Sequence, residues 1–268
     1  MNEVVADTWT KFNTAVFKNS LDKSLDRYRS PYVFRGLSDS SFQLLTSLQR
    51  LRHSRETLET VEQALLRNFE KYSKRDDLGS EWRRITIGQH FGLPTRLLDW
   101  SFSPLVALHF ATCDLSQMDR DAAVWCLNVP LIHSFLPSRL GDSLAALRAN
   151  VFPIGTLEES FPKLDEFHRK EGDQDPFVLF FEPPSVDERI VNQVALFSLL
   201  SDVSKPLDVW LQNWTSKKRG LATKIIIPAA KKWEYRDRLD QLNITERVLF
   251  PGLDGLSDWL RRWYSPKR

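Results

Sequence analysis

The sequence predicts an α+β fold, a single domain in which helices flank a mixed or antiparallel split sheet. Three observations carry that expectation. Amphipathic helical spacing dominates the early part of the chain, whereas the long β-branched and aromatic runs come later, at 122–129, 177–183 and 221–228. The helices and strands do not alternate as a regular βαβ repeat. Across the 268 residues no linker, low-complexity tract or internal repeat intervenes, which favours one domain over 1–268, with its core at about 28–260 and an N-terminal helix in 1–27.

The elements follow in order. Residues 7–28 place Trp9, Phe12, Val16 or Phe17, Leu21 and Leu25 at near-helical spacing and are read as a helix. "PYVF" (31–34) is a short strand that runs into Arg35 and Gly36. Residues 54–74 open on Ser54, with a glutamate in the first turn, and set Leu58, Val61, Leu65, Leu66, Phe69 and Tyr72 on one side, which predicts an N-capped amphipathic helix. A second helical stretch, 79–91, is stopped by Gly92 and Pro94, and "TRLLDW" (95–100) has the composition of a strand. Ser101, Ser103 and Pro104 are start signals for the helix "PLVALHFATCD".

"AAVWCLNV" and "FVLFFEP" are strands, and Pro137, Gly141, Pro153, Gly155 and Pro162 between them predict irregular structure with one short helix. Residues 188–201 suit either a strand or a helix. "LATKIIIP" is a strand closed by proline, residues 229–243 are a helix, and the end turns at Pro251 and Gly252 into a short terminal helix.

Composition narrows the function classes. With 42% apolar and 27% charged residues the balance is that of an ordinary soluble protein, and 37 Lys plus Arg against 35 Asp plus Glu leaves a net charge of +2. Any attraction to a polyanion must therefore be local. Cys113 and Cys126 sit in apolar surroundings without metal-ligand spacing, and the N-terminus lacks the basic-then-apolar order of a signal peptide. No apolar run approaches the roughly 20 residues that span a bilayer. A reduced, cytoplasmic protein without membrane contact is expected. The nine tryptophans suit half-buried packing, and would also suit a nucleotide site that needs aromatic faces.

The chemistry candidates are few. The five histidines, His53, His90, His109, His133 and His168, do not pair at metal spacing, so no metal is expected. No G-x-S-x-G elbow, no G-x-x-x-x-G-K-[ST] and no G-x-G-x-x-G is present, so a bound phosphate would have to be held by side chains. Arg35 stands where the first strand is read to stop, with Gly36 removing bulk beside it, and a guanidinium there could grip a phosphate bidentately. Strand 95–100 alternates Thr95, Leu97 and Asp99 on one face with Arg96, Leu98 and Trp100 on the other. Asp99 and Trp100 either satisfy each other and nearby backbone or line a cleft. Lys217, Lys218, Arg219, Lys231, Lys232, Arg236 and Arg238 form a basic cluster, interleaved with Glu234, Asp237 and Asp240, that reads as a solvated surface or an RNA-binding face.

Four blocks, "VFRG", "QHFGLPTRLLDWSFSPLVALHFA", "RIVNQVALFS" and "LFPGLDGL", resemble in that order the signature blocks of the FRG domain family, over about residues 28–260. The third block departs from the usual Arg, Gln, Gly, Phe by carrying Arg189, Gln193, Ala195 and Phe197. A weaker similarity of block order links the chain to ADP-ribosyltransferases. It implies an ADP-ribosyltransferase-like fold and NAD as substrate, with ADP-ribose passed to a protein or nucleic-acid acceptor. In that resemblance Arg35 and Gly36 grip the ribose–pyrophosphate part, and Trp100 or a neighbouring Phe stacks on nicotinamide. Thr95 and Ser101 bond near the second ribose, and Arg96 and Arg189 complete the cofactor-binding set. Gln193 takes the position where many transferases carry the catalytic glutamate; either this neutral amide leaves the reaction slower or Asp99 supplies the missing charge. The resemblance also implies an effector of phage defence or a toxin with a neutralising antitoxin partner. The alternative is a non-catalytic nucleotide- or nucleic-acid-binding module of the FRG family.

Overall fold

Apolar side chains on both faces of one central sheet organise the chain. The computed structural model describes residues 2–75, 78–167, 175–184, 188–216 and 218–267. The chain opens with β1 (Asn2–Val5) and α1 (Trp9–Phe17), which Thr8 caps. The helix expected over 7–28 ends at Phe17, because Asn19 adopts a left-handed φ of 58° and the Asp22 carboxylate accepts from the Ser24 backbone and hydroxyl. Those bonds turn the chain into the hairpin β2 (Leu21–Asp22) and β3 (Arg27–Tyr28), leaving Leu21 and Leu25 exposed.

Next come β4 (Tyr32–Leu37), α2 (Arg55–Ser73), α3 (Glu81–His90), β5 (Leu97–Ser101) and α4 (Pro104–Thr112). The three helices start on serine caps, Ser54, Ser80 and Ser103, each accepting from a backbone N–H in the first turn. After β6 (Ala122–Asn128) the chain is more ordered than its prolines suggest: α5 (Val129–His133), α6 (Ser138–Leu147), β7 (Phe152–Pro153) and α7 (Ile154–Ser160). Pro130 sits in the first turn of α5, and Pro137 and Pro153 are the residues before α6 and α7, positions where the missing N–H has no helical partner to lose. Beyond β8 (Val178–Glu182), the ambiguous stretch is both things in turn, α8 (Glu188–Asn192) and β9 (Ala195–Leu200), with Val194 at a φ of 47° between them. The remainder is α9 (Leu207–Thr215), β10 (Ala222–Ile227), α10 (Lys232–Gln241), α11 (Glu246–Leu249) and α12 (Leu253–Trp263).

Eight strands form one sheet in the order β1-β10-β6-β4-β5-β9-β8-β7. The edge pairs β1–β10 and β7–β8 are parallel and the inner pairs antiparallel, so the sheet is mixed as expected. Strands do not segregate behind helices, however, since β1, β4 and β5 all come early. At the centre β4 pairs with β6 along its whole length but meets β5 only at Phe34 and Ser101. The sheet splits there.

One face carries Val33, Leu98, Trp100, Trp125, Phe180 and Leu196 beneath Trp210 and Leu211 of α9. The other face is divided. Phe34, Val124 and Ile225 pack under α1, α4 and α10, while Leu97, Phe181 and Phe197 pack under α3, α6 and α7. The boundary between these two cores falls over the β4–β5 split.

Candidate functional site

Arg35 lies inside β4, opposite Trp125, rather than at the strand end where the sequence places it. A Cβ on Gly36 would lie 1.9 Å from the Ala107 carbonyl oxygen and 2.5 Å from the Ala111 nitrogen. The glycine therefore admits helix α4; it is not spare room for a ligand. From this position Arg35 reaches into the split. Its Nη1 donates to the Asp99 backbone carbonyl at 2.6 Å and lies 3.5 Å from Asp99 Oδ2. A guanidinium thus takes an acceptor that a continuous ladder would have used. Its Nε is buried without a hydrogen-bond partner among the described residues, and the side chain is 19% exposed. Burial lowers its pKa, Asp99 opposes that, and the charge of Arg50 adds to the lowering. It remains a cation.

Asp99 shares the face of Leu97 but projects at the gap between the two cores, with a side chain 55% exposed. Gln89, at the last turn of α3, donates from Nε2 to Asp99 Oδ2 at 2.9 Å. Its Oε1 accepts from buried Thr95 Oγ1 at 2.5 Å, and Thr95 Oγ1 accepts from the Leu97 N–H at 3.2 Å. Because the threonine proton points at Oε1, the amide orientation of Gln89 is set and its N–H2 faces the carboxylate. Sequence reasoning missed Gln89, although it opens the second block, six residues ahead of Thr95.

The other predicted site residues divide. Arg96 is buried in an ion pair with Glu62 of α2, its Nε donating to Oε2 at 2.6 Å, so it fastens α2 to the start of β5, and the cavity it lines, about 10 Å³, is far too small for a nucleotide. Trp100 is 3% exposed, donates from Nε1 to Ser198 Oγ at 2.8 Å and meets Phe180 edge-on at 5.9 Å. Neither ring face is open to a ligand. Phe102, two residues on, is 37% exposed. Ser101 Oγ donates to the Gln193 carbonyl at 2.7 Å and accepts from the Ser103 N–H at 2.9 Å, joining the end of β5 to the start of β9.

Gln193 turns its amide away from Asp99, donating to the Leu249 carbonyl at 3.0 Å, and Asn192 does the same to Val248 at 2.8 Å. Arg189 stacks over Phe250 at 4.7 Å, and with Glu188, Pro251 and Asp254 it lines a cavity of about 450 Å³. Arg35, Thr95 and Asp99 are therefore brought together with Gln89, while Arg189 and Gln193 belong to a second cluster against the α11–α12 turn. Ser101 links the two.

The basic cluster does not form one free face. Lys232 and Arg236 are buried, Lys232 donating to the Ser38 and Gln117 carbonyls at 2.7 and 2.6 Å, and Arg236 bonding His109 Nδ1 and Glu246. Lys231 and Arg238 both bind Glu234, and Lys218 donates to Ser134. Lys217 and His168 lie outside the described residues. Among the described residues, no group of three or more His, Cys, Asp or Glu side chains is placed to hold a metal ion, and no helix is long and apolar enough to cross a membrane.

The FRG domain family's sequence profile matches residues 30–120. That span holds the first two blocks, from Arg35 and Gly36 through Thr95, Arg96, Asp99, Trp100 and Ser101, and leaves Arg189 and Gln193 outside it. No curated protein and no solved structure matches the chain.

Proposed function

We propose that this chain is an ADP-ribosyltransferase-like enzyme that takes NAD as substrate and passes ADP-ribose to a macromolecular acceptor. The observation that carries the reading is the meeting of Arg35 and Asp99 where β4 and β5 part, with a buried guanidinium N–H that has no partner among the described residues and a carboxylate more than half exposed. In the reaction the C1′–N bond breaks, its electron pair leaves with neutral nicotinamide, and the acceptor's nucleophile bonds to C1′ as it loses a proton. Positive charge builds on the ribose on the way. Asp99 is the group to face that charge and to take the acceptor's proton, held ready by Gln89. Arg35 keeps donors for the pyrophosphate beyond the one given to Asp99. Phe102, rather than Trp100, offers the aromatic surface for nicotinamide. Gln193, tied to Leu249, steadies the rim without touching the reacting atoms.

Purified protein incubated with labelled NAD and cell extract should label a macromolecule and release nicotinamide. Asp99→Asn should lower kcat about 10²–10³-fold, the size typical of removing one preorganised electrostatic group. Arg35→Lys, with an unchanged melting profile, should mainly raise KM for NAD. If wild-type protein neither releases nicotinamide nor labels a macromolecule, the reading is wrong.

A further inference from the structure

Past the C-terminal end of α1 the sheet loses its cover, and the space left is a cavity of about 670 Å³. Its floor includes the register row Asn2, Thr223 and Cys126, one residue from each of β1, β10 and β6, with Tyr32 of β4 at the side. Lys18 and Asn19, directly after α1, line it from one element, and Thr215 and Arg219, at and beyond the end of α9, from another.

The pleat decides the sign of this cavity. Glu3, between the lining residues Asn2 and Val4, projects from the opposite face of β1. Lys224, next to Thr223, also leaves by the other face, where it donates to the Ser40 carbonyl and sits over Trp125. What remains along the wall, among the described residues, is two cations, several amide and hydroxyl groups, and no carboxylate. Elsewhere arginines and lysines are commonly tied to acids, as in the pairs of Lys11, Lys231, Arg238 and Arg262. Lys18 and Arg219 have no ion pair with a described residue. Lys18 directly follows the C-terminal end of α1, whose carbonyls favour a cation and so keep that charge beside the cavity, while Arg219 lines it from the segment beyond α9.

We propose that this cavity is a binding site for a mononucleotide-sized phosphorylated anion, with Lys18 and Arg219 on the phosphate and the half-buried Tyr32 ring against its planar part. The volume falls in the range of small-molecule sites, about 300–1,000 Å³. Two cations with flanking amides match a phosphate better than a neutral or cationic ligand. Burial pushes the Cys126 thiol up to about 12, so the floor is unreactive and the site holds its ligand without covalent chemistry. The inference does not depend on NAD turnover, since Arg35, Gln89 and Asp99 do not line this cavity.

Titration calorimetry of the full chain with AMP at low salt tests it. Wild-type protein should bind AMP with an affinity that falls as salt rises, and Lys18→Gln/Arg219→Gln should weaken binding at least about tenfold, because charge-assisted bonds to phosphate are lost. Both side chains are exposed, so the melting profile should not move, and Arg219→Gln alone should give part of the loss. Arg35→Lys should still bind AMP, and still lose that binding on adding Lys18→Gln/Arg219→Gln, since Arg35 does not line this cavity. Absence of binding to wild type, full affinity in the double variant, or loss of binding in Arg35→Lys would each overturn the proposal, the last by placing the nucleotide at the sheet split.

Discussion

Gly36 shows how much one residue decides here. Because a Cβ would meet the Ala107 carbonyl oxygen at 1.9 Å, Gly36→Ala must push α4 off β4, and a loss of about 1–3 kcal/mol or more is expected from such overpacking, read as a lower urea midpoint at unchanged m-value. The buried pair of Arg96 and Glu62 makes a different case. Removing one partner strands a charge, so Arg96→Met should cost about 3–5 kcal/mol, while Arg96→Met with Glu62→Leu should recover most of that loss in the same denaturant assay. Were the double variant no more stable than the single, the pair would be contributing more than mutual neutralisation. At the split, Gln89→Leu should leave Asp99 without its oriented amide. Under the proposed function it lowers kcat more than it raises KM, and Gln89→Asn does not rescue it, because the shorter side chain cannot span Thr95 and Asp99.

Single elements carry the site to its place. Helix α3 carries Gln89 in its last turn, and its start is held by Ser80, which accepts from the Arg83 N–H at 3.1 Å and donates to Glu158 of α7 at 2.5 Å. Ser80→Ala should destabilise the protein by about 1 kcal/mol, the usual worth of such a cap, visible as a lower melting temperature. At the other end of the site, Arg262 of α12 binds Asp240 of α10 and Glu246 of α11, and Glu246 also binds Arg236. This buried ion network holds the α11–α12 turn where Gln193 and Arg189 meet it.

Over the whole molecule the buried titratable groups set an acid limit. Burial, reinforced by the charge of Arg236, lowers His109 from 6.5 to about 3, and burial lowers His133 from 6.5 to about 4. The unfolded chain binds these protons below pH 6.5 and the native state does not, so stability falls as pH drops through 6.5, by about 1.4 kcal/mol per histidine for each further unit. Burial alone would raise the Glu246 carboxyl, but hydrogen bonds from Arg262 and the charge of Arg236 outweigh it and hold the group at about 2. Its contribution is full above 4.5 and is lost as pH falls towards 2, in the same direction as the histidines. Urea midpoints at pH 7.5, 6 and 5 should decline in that order, and a flat profile would contradict the buried neutral state of both histidines.

Legibility followed the range of the forces involved. The caps Ser54 and Ser103, the strands around Trp125 and Ile225 and the helix of Tyr235 are written in neighbouring residues, since caps, periodicity and β-branched runs act within a few positions. The same local signals pointed to Arg35 and Asp99 as polar groups in apolar company. What they did not contain was the distance between partners. Thr95 orders Gln89 across a turn, Trp100 meets Ser198 from a strand nearly a hundred residues away, and β1 finds β10 from the far end of the chain. The sequence by itself determined the capped, periodic helices and the β-branched strands, though not the hairpin after α1 or the helices between β6 and β8, and it determined that no glycine cradle would hold a phosphate. Only the tertiary structure decided that β4 and β5 part after one pair, that Arg35 fills the gap, and that Trp100 belongs to the core. Packing decided it: α4 needs Gly36 beneath it, and the two cores on that face of the sheet meet over the place where Asp99 is left in the open.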